Sequence, residues 1–330
     1  MKRKIFVLGC ALALTSSTLF AGTIEGTGSS FQFPANKAWA KNYYKETGNK
    51  VNYSPTGSGA GIKEVTARHV DFGGTDKPLK PAVLKKRHLS QFPIAIGAIT
   101  FSYNIPGVDS LKLSEPAIKG ITMGDIKYWD AAEIVRVNQG VNLPHKKILF
   151  VHRSDKSGTT FAFTYYLSKM NHAWAKRFGA KKAVNWPMQN RVAGKGNFGV
   201  STAIKTNTYS IGYVDYADAV SNELNIAAIE NKEHKFVKAV PATFATGAQY
   251  ADLDPRKDFY ANIQYPASGY PIMAATFVLV PDESDKKKAV GAFYRYAYAH
   301  PDTISALGYV ALPAAVVEKV ETYMSKEGMK

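Results

Sequence analysis

Val70-Asp71-Phe72-Gly73-Gly74-Thr75-Asp76 reads as a short strand whose carboxyl end hands a hydroxyl and an acid to the next loop. Two earlier stretches repeat the arrangement. A strand near Thr23 to Gly26 runs into the small-residue turn Gly26-Thr27-Gly28-Ser29-Ser30. Val51-Asn52-Tyr53 runs into Thr56-Gly57-Ser58-Gly59-Ala60-Gly61, a tight loop that opens a helix. Between these strands a helix is expected over residues 34–46, with Pro34 in its first turn and Gly48 as its C-cap. Strand-like and helical runs alternate along the whole chain without an internal repeat, which predicts an α/β protein. Open α/β sheets hold their ligands at strand carboxyl ends, and here three successive ends carry hydroxyl, glycine or acid residues.

Two further segments, residues 94–103 and 272–280, are apolar through most of their length, as strands covered on both faces should be. They are the candidate connections between two lobes. Lobe I is then expected to comprise residues 22–96 plus 271–330, and lobe II residues 97–270.

The amino terminus carries a different signal. Lys2, Arg3 and Lys4 precede an apolar run from Ile5 to Leu14, and Leu19-Phe20-Ala21 offers a cleavage point after Ala21. This order predicts a secretory signal peptide over residues 1–21, and hence export to the periplasm. Cys10, the one cysteine, lies inside that segment. The apolar stretch before it is too short for a lipoprotein signal, so a lipid anchor at Cys10 is not expected, and the mature chain would have no thiol for disulfides, catalysis or metal binding. Removing Lys2, Arg3 and Lys4 lowers the net charge of +16 by three. The remaining cations are scattered. Lys85-Lys86-Arg87 and Lys286-Lys287-Lys288 are short and lack interleaved aromatics, so no nucleic-acid partner is expected.

Signatures of catalysis are missing from the pattern. The seven histidines do not fall at metal-ligand spacings, and there is no HExxH, calcium loop, Walker loop, dinucleotide fingerprint or G-x-S-x-G elbow. We therefore expect no metal, no cofactor and no enzymatic activity. Anion binding, by contrast, has support. Ser157-Gly158-Thr159-Thr160 precedes the mostly apolar run 161–167, which reads as a buried helix with Ser or Thr as its N-cap. A helix N-terminus presents free N–H groups and partial positive charge. Gly158 lets a ligand approach the backbone, and Arg153 adds a planar, bidentate, permanently charged partner. Asp155 is near enough to brace that guanidinium.

Gly28-Ser29-Ser30-Phe31, residues 45–53, Gly57-Ser58-Gly59-Ala60-Gly61, residues 70–76, Asp125-Ile126-Lys127-Tyr128-Trp129-Asp130, the Arg153 turn, Gly194-Lys195-Gly196-Asn197 and Ile211-Gly212-Tyr213-Val214 together carry a resemblance. In their order and spacing the chain resembles the periplasmic phosphate-binding proteins of bacterial phosphate ABC transporters, over nearly the whole mature chain. The resemblance implies the two-lobed periplasmic-binding-protein fold of type II, with a ligand cleft between lobes joined by hinge strands. It implies binding of inorganic phosphate and delivery to an inner-membrane ABC permease by a non-catalytic monomer. Ser30, Phe31 (through its N–H), Ser58, Asp76, Arg153, Ser157, Gly158 and Thr159 match the family's phosphate ligands, and Asp155 the acid that holds the arginine. Asp76 would accept the proton that phosphate carries and sulfate lacks, which makes an unpaired buried group the basis of selectivity. One departure stands out: Gln32-Phe33-Pro34 follows Phe31, where many relatives place proline sooner. Readings set against this one are a receptor for sulfate or molybdate, a secreted phosphomonoesterase with Ser157 or Ser58 as nucleophile, and a basic surface adhesin.

Overall fold

The computed structural model describes residues 22–330. The expected signal peptide and Cys10 lie outside the described residues. Thr23–Gly28 pairs in parallel with Lys50–Ser54 on one side and with Phe72–Thr75 on the other. The first helix, Phe33–Thr47, begins one residue earlier than expected and ends where Gly48 takes a left-handed φ of 73°. That conformation costs glycine nothing, which is why the helix stops there. Ser58–Thr66 is also helical, so the glycine-rich stretch forms the first turn of a helix rather than a free loop.

Both long apolar segments are strands. Met273–Pro281 pairs antiparallel with Phe72–Thr75 and with the first part of Leu89–Asn104. Leu89–Asn104 is five residues longer at its start than its apolar run suggested, because Ser90 and Gln91 are buried with partners. Gln91 accepts from the Leu79 N–H at 2.7 Å, and Ser90 donates to Asp282 at 2.9 Å. The register between these strands shifts at Thr276/Phe277, opposite Pro93. Proline brings no N–H to a ladder, so a bulge there is the natural accommodation, and it re-aims the neighbouring side chain.

The carboxyl-terminal part of Leu89–Asn104 leaves Met273–Pro281 and pairs instead with Ser210–Asp215, from Ile99 opposite Asp215 to Asn104 opposite Ser210. Leu149–Arg153 then runs parallel to Ser210–Asp215 and to Arg191–Gly194. One strand thus belongs to two groups of pairings, each with its own parallel strands and helices. A small sheet of Lys112–Leu113, Ala228–Glu230 and Phe236–Val237 lies apart. Among the described residues no helix is long and apolar enough to cross a membrane.

Trp39 and Trp129 are buried, and Trp174 and Trp186 are buried against each other with ring centres 5.5 Å apart. On the shared strand Phe101 is fully buried and meets Phe163 edge-on, with ring centres 5.1 Å apart. Phe101→Ala is expected to cost about 3–5 kcal/mol through lost burial and the cavity left behind. Urea unfolding will register this as a lower midpoint with an unchanged slope.

Candidate anion-binding site

The residues singled out from the sequence converge where the two groups of strands meet. Four helices begin there: Phe33–Thr47, Ser58–Thr66, Gly158–Met170 and Gly196–Thr206, each following the carboxyl end of a parallel strand. Their first turns hold N–H groups with no partner inside the helix, and their macrodipoles point positive charge toward one place. The halves touch directly. The Gly59 N–H donates to the Lys156 carbonyl at 2.8 Å, and the Asn197 N–H donates to Ser30 Oγ at 3.1 Å. A Cβ on Gly158 would collide with Ser58 Oγ and the Asp76 carboxylate, so only glycine permits this approach.

Arg153 ends its strand fully enclosed, with its side chain 1% exposed. Asp155 holds it in a bidentate pair, Nε to Oδ1 at 2.8 Å and Nη2 to Oδ2 at 2.7 Å. Burial pushes the Asp155 carboxyl up, but the Arg153 guanidinium and the Gly196 N–H outweigh it and hold its pKa below the usual value. The remaining guanidinium nitrogen, Nη1, reaches Thr159 Oγ1 at 3.3 Å and Asn197 Oδ1 at 3.2 Å. Tyr213 fixes the strand end from behind, accepting from the Arg153 N–H at 3.2 Å while bonding Thr160 Oγ1 at 2.7 Å.

The hydroxyls share a feature. Ser30 Oγ accepts from Asn197 N–H. Ser58 Oγ accepts from the Asp76 N–H at 3.3 Å, and Ser157 Oγ from the Thr160 N–H at 3.0 Å as the helix N-cap. Thr159 Oγ1 accepts from Asn197 Nδ2 and Arg153 Nη1, each at 3.3 Å. An oxygen that already receives an N–H directs its own O–H toward some other acceptor. Four neighbouring hydroxyls are therefore set up as donors beside a permanent cation and four helix N-termini. Such a surface is built for an oxyanion.

Asp76 is the exception in sign. It is fully buried at the end of Phe72–Thr75, and takes hydrogen bonds from Ser29 Oγ at 2.5 Å and Thr276 Oγ1 at 2.7 Å, with Ser58 Oγ at 3.4 Å. Burial pushes its pKa up to about 6, against the lowering effect of Ser29, Thr276, Arg153 and Ser58. The Phe31 N–H, expected among the ligand donors, is directed to Ser29 Oγ at 3.0 Å in this structure. Ser29, Asn197 and Thr276 escaped the sequence reading as site residues. Asn197 belongs to the Gly194-Lys195-Gly196-Asn197 motif, which by itself assigns it no role, and Ser29 stands beside Ser30. Thr276 had no signal, being an apparent interior residue of a buried strand. Among the described residues no group of three or more His, Cys, Asp or Glu side chains could hold a metal ion.

Comparison with known proteins agrees with this architecture. Residues 15–300 match the family model described as a PBP superfamily domain. The phosphate-binding protein PstS of Pasteurella multocida is 38% identical over 336 residues, covering 99% of this chain and 97% of that one. The protein of the same name from Haemophilus influenzae is 38% identical over 338 residues, covering 99% of each. Among solved structures, a high-affinity periplasmic phosphate-binding protein bound with phosphate superposes with a TM-score of 0.74 at 21% identity, covering 91% of this chain and 93% of that one. A phosphate-binding protein from Stenotrophomonas maltophilia gives 0.70 at 19%, with the same coverage. The fold is accordingly the two-lobed α/β fold of the periplasmic binding proteins.

The buried acid has a measurable signature. The folded pKa of Asp76 lies near 6 and its ordinary value is 3.8. Between those values the native state holds a proton that the unfolded state has released. This group's contribution to stability is therefore greatest at low pH and falls as pH rises toward 6. Urea unfolding of the native sequence and Asp76→Asn at pH 4 and pH 7.5, without ligand, should show the difference between them shifting in favour of Asn on going to the higher pH. The expected shift is at most about 3 kcal/mol. An unchanged difference would refute the raised pKa.

Proposed function

The chain belongs to the PBP superfamily and, within it, to the family of the PstS phosphate-binding proteins, and on that premise we propose that it binds inorganic phosphate in the periplasm and delivers it to an ABC permease. The observation that carries the reading is the pairing of opposites in one site: four hydroxyls preset as donors around Arg153, and one buried carboxylate, Asp76, among them. Donors alone would suit any oxyanion. A carboxylate beside them repels an anion unless that anion brings a proton to share. Hydrogen phosphate does so at neutral pH and sulfate does not, which separates two ions of nearly equal size.

In this reading Ser30, Ser157 and Thr159 donate their O–H groups and Gly158 its backbone N–H to phosphate oxygens. Ser58 exchanges its 3.4 Å contact with Asp76 for a phosphate oxygen, while the Phe31 N–H stays on Ser29 Oγ. Arg153 supplies charge, and Asp155 holds it in place. The lobes meet on the ligand and separate around the paired strands Leu89–Asn104 and Met273–Pro281, with the boundary proposed near residues 97 and 271. Hinge closure of this kind is a common way for two lobes to enclose a ligand. The protein acts as a non-catalytic monomer, exported by the segment 1–21. Among the described residues the carboxylate beside these serines is Asp76, 3.4 Å from Ser58 Oγ, and in this reading it takes the ligand's proton rather than activating that hydroxyl.

The mouth of the cleft would speed capture. Lys63, Arg87, Lys156 and Lys182 line one surface depression beside Gly59 and Asp155. Burial, together with the neighbouring cations Lys77, Lys156 and Arg87, pushes the Lys182 amine down to about 8. Such a field raises encounter rates for anions.

Calorimetry at neutral pH should give tight binding of phosphate and none of sulfate; equal binding of the two would sink the role of Asp76. Arg153→Ala should weaken phosphate by at least about a hundredfold, because charge-assisted hydrogen bonds contribute about 1.5–3 kcal/mol each. In stopped-flow measurements the double variant Lys156→Ala, Lys182→Ala should associate several-fold more slowly at low salt. Its association should depend less on ionic strength, with the dissociation rate unchanged.

A further inference from the structure

Gln32 is fully buried although it is a polar residue at the start of a helix, and its amide is completely engaged. Its Nε2 donates to the Phe277 carbonyl at 3.2 Å and to Thr276 Oγ1 at 2.9 Å. Its Oε1 accepts from Asn36 Nδ2 at 3.0 Å, and Asn36 Oδ1 accepts from the Tyr294 hydroxyl at 3.2 Å. The Phe277 carbonyl can only accept, so it fixes which end of the amide is NH2. The other amide hydrogen then fills the Thr276 oxygen, and the Thr276 hydroxyl hydrogen is left for Asp76 Oδ1, 2.7 Å away. On the opposite oxygen the same device recurs. The Phe31 N–H fills Ser29 Oγ, whose own hydrogen goes to Asp76 Oδ2.

We propose that Gln32 is a specificity-determining residue, holding Thr276 as a one-way donor so that Asp76 stays an acceptor for the proton of the bound oxyanion. The inference rests on the phosphate-binding reading above and adds a residue to it. A free threonine hydroxyl can turn and accept. It would then satisfy a protonated Asp76 as well as an ionised one, and a protonated Asp76 cannot take a proton from the ligand. With the amide behind it, Thr276 has only a donor to offer, which favours the carboxylate. Thr276 lies at the register shift between the two strands, opposite Ala95, and reaches both partners. The other groups that act on Asp76 are accounted for. Arg153 and the Ser29 and Ser58 hydroxyls favour its ionised form. Tyr53, Tyr309 and Asp215 feel its charge; burial pushes the two phenols well above their usual value, so they stay neutral, and pushes the Asp215 carboxyl up, with Asp218 adding to the rise.

The test compares the native sequence with Gln32→Leu, Thr276→Val and Thr276→Ser. Titration of the Asp76 carboxyl in the ligand-free protein, by carbon NMR of selectively labelled aspartate, is expected to move upward by about one pH unit in Gln32→Leu and in Thr276→Val. Thr276→Ser should keep the native value. Calorimetry with inorganic phosphate should show the acid-side loss of affinity moving by the same amount, since the ligand's own ionisation is common to every variant. Gln32→Leu combined with Thr276→Val should shift no further than Thr276→Val alone. Affinity that falls equally at every pH, with the titration unmoved, would make Gln32 a packing residue and overturn the proposal. Should Gln32→Leu fail to fold, Gln32→Met, which also removes the amide donor to Thr276 while filling the same space with an unbranched chain, is to be titrated in its place, and an unmoved Asp76 titration there overturns the proposal. A protein that binds no phosphate would defeat the functional reading, while the ligand-free titration would still decide the role of Gln32.

Discussion

Two opposite ions, Arg153 and Asp76, are buried at the junction of two lobes, and much of the surrounding structure exists to make that tolerable. A charge removed from water must be paired and fully hydrogen-bonded, or it destabilises the fold by several kcal/mol. Arg153 meets the requirement through Asp155, Thr159 and Asn197. Asp76 meets it with hydroxyls and a distant guanidinium rather than a direct counter-ion, and its pKa climbs as a result. The difference between the two solutions is chemically useful. A cation tied to its own acid stays fixed in direction and charge. A carboxylate held only by neutral donors keeps an appetite for a proton.

The donors themselves are organised by the backbone. Peptide and amide N–H groups from Thr160, Asp76, Asn197 and Phe31 fill hydroxyl oxygens and thereby aim the hydroxyl hydrogens. Few of the residues involved are charged, so the site can surround an anion without the rigidity problems of several long cationic side chains. The cations that do crowd the region, Lys63, Arg87, Lys156 and Lys182, line a depression beside the site rather than the site itself. Capture and discrimination are thus carried by different groups.

Legibility in the sequence followed how local each interaction is. The Arg153–Asp155 pair and the Ser157 cap span a few residues of one turn, and both were readable from spacing alone. The helix over Phe33–Thr47 was readable from Pro34 and Gly48, since caps are local devices. The extension of Leu89–Asn104 through Ser90 and Gln91 was not, because those polar residues are buried only thanks to Asp282, Asp258 and Leu79. Gln32 was visible as a departure from its relatives, and read as a change at the start of a helix. Its partner Thr276 lies 244 residues away, so the sequence held no trace of their contact.

What the sequence by itself determined is therefore the alternation of strands and helices, the anion turn at residues 153–159, and the hydroxyl, glycine and acid residues at the strand ends. These depend on periodicity, caps and turn chemistry, which act over a handful of residues. Only the tertiary structure decided that Ser30 meets Asn197, that Gly158 lies against Ser58 and Asp76, and that Thr276 stands between Gln32 and Asp76. Each of these contacts joins distant segments. The direction of a hydroxyl hydrogen is set by whichever donor packs behind it, and that neighbour is chosen by the fold.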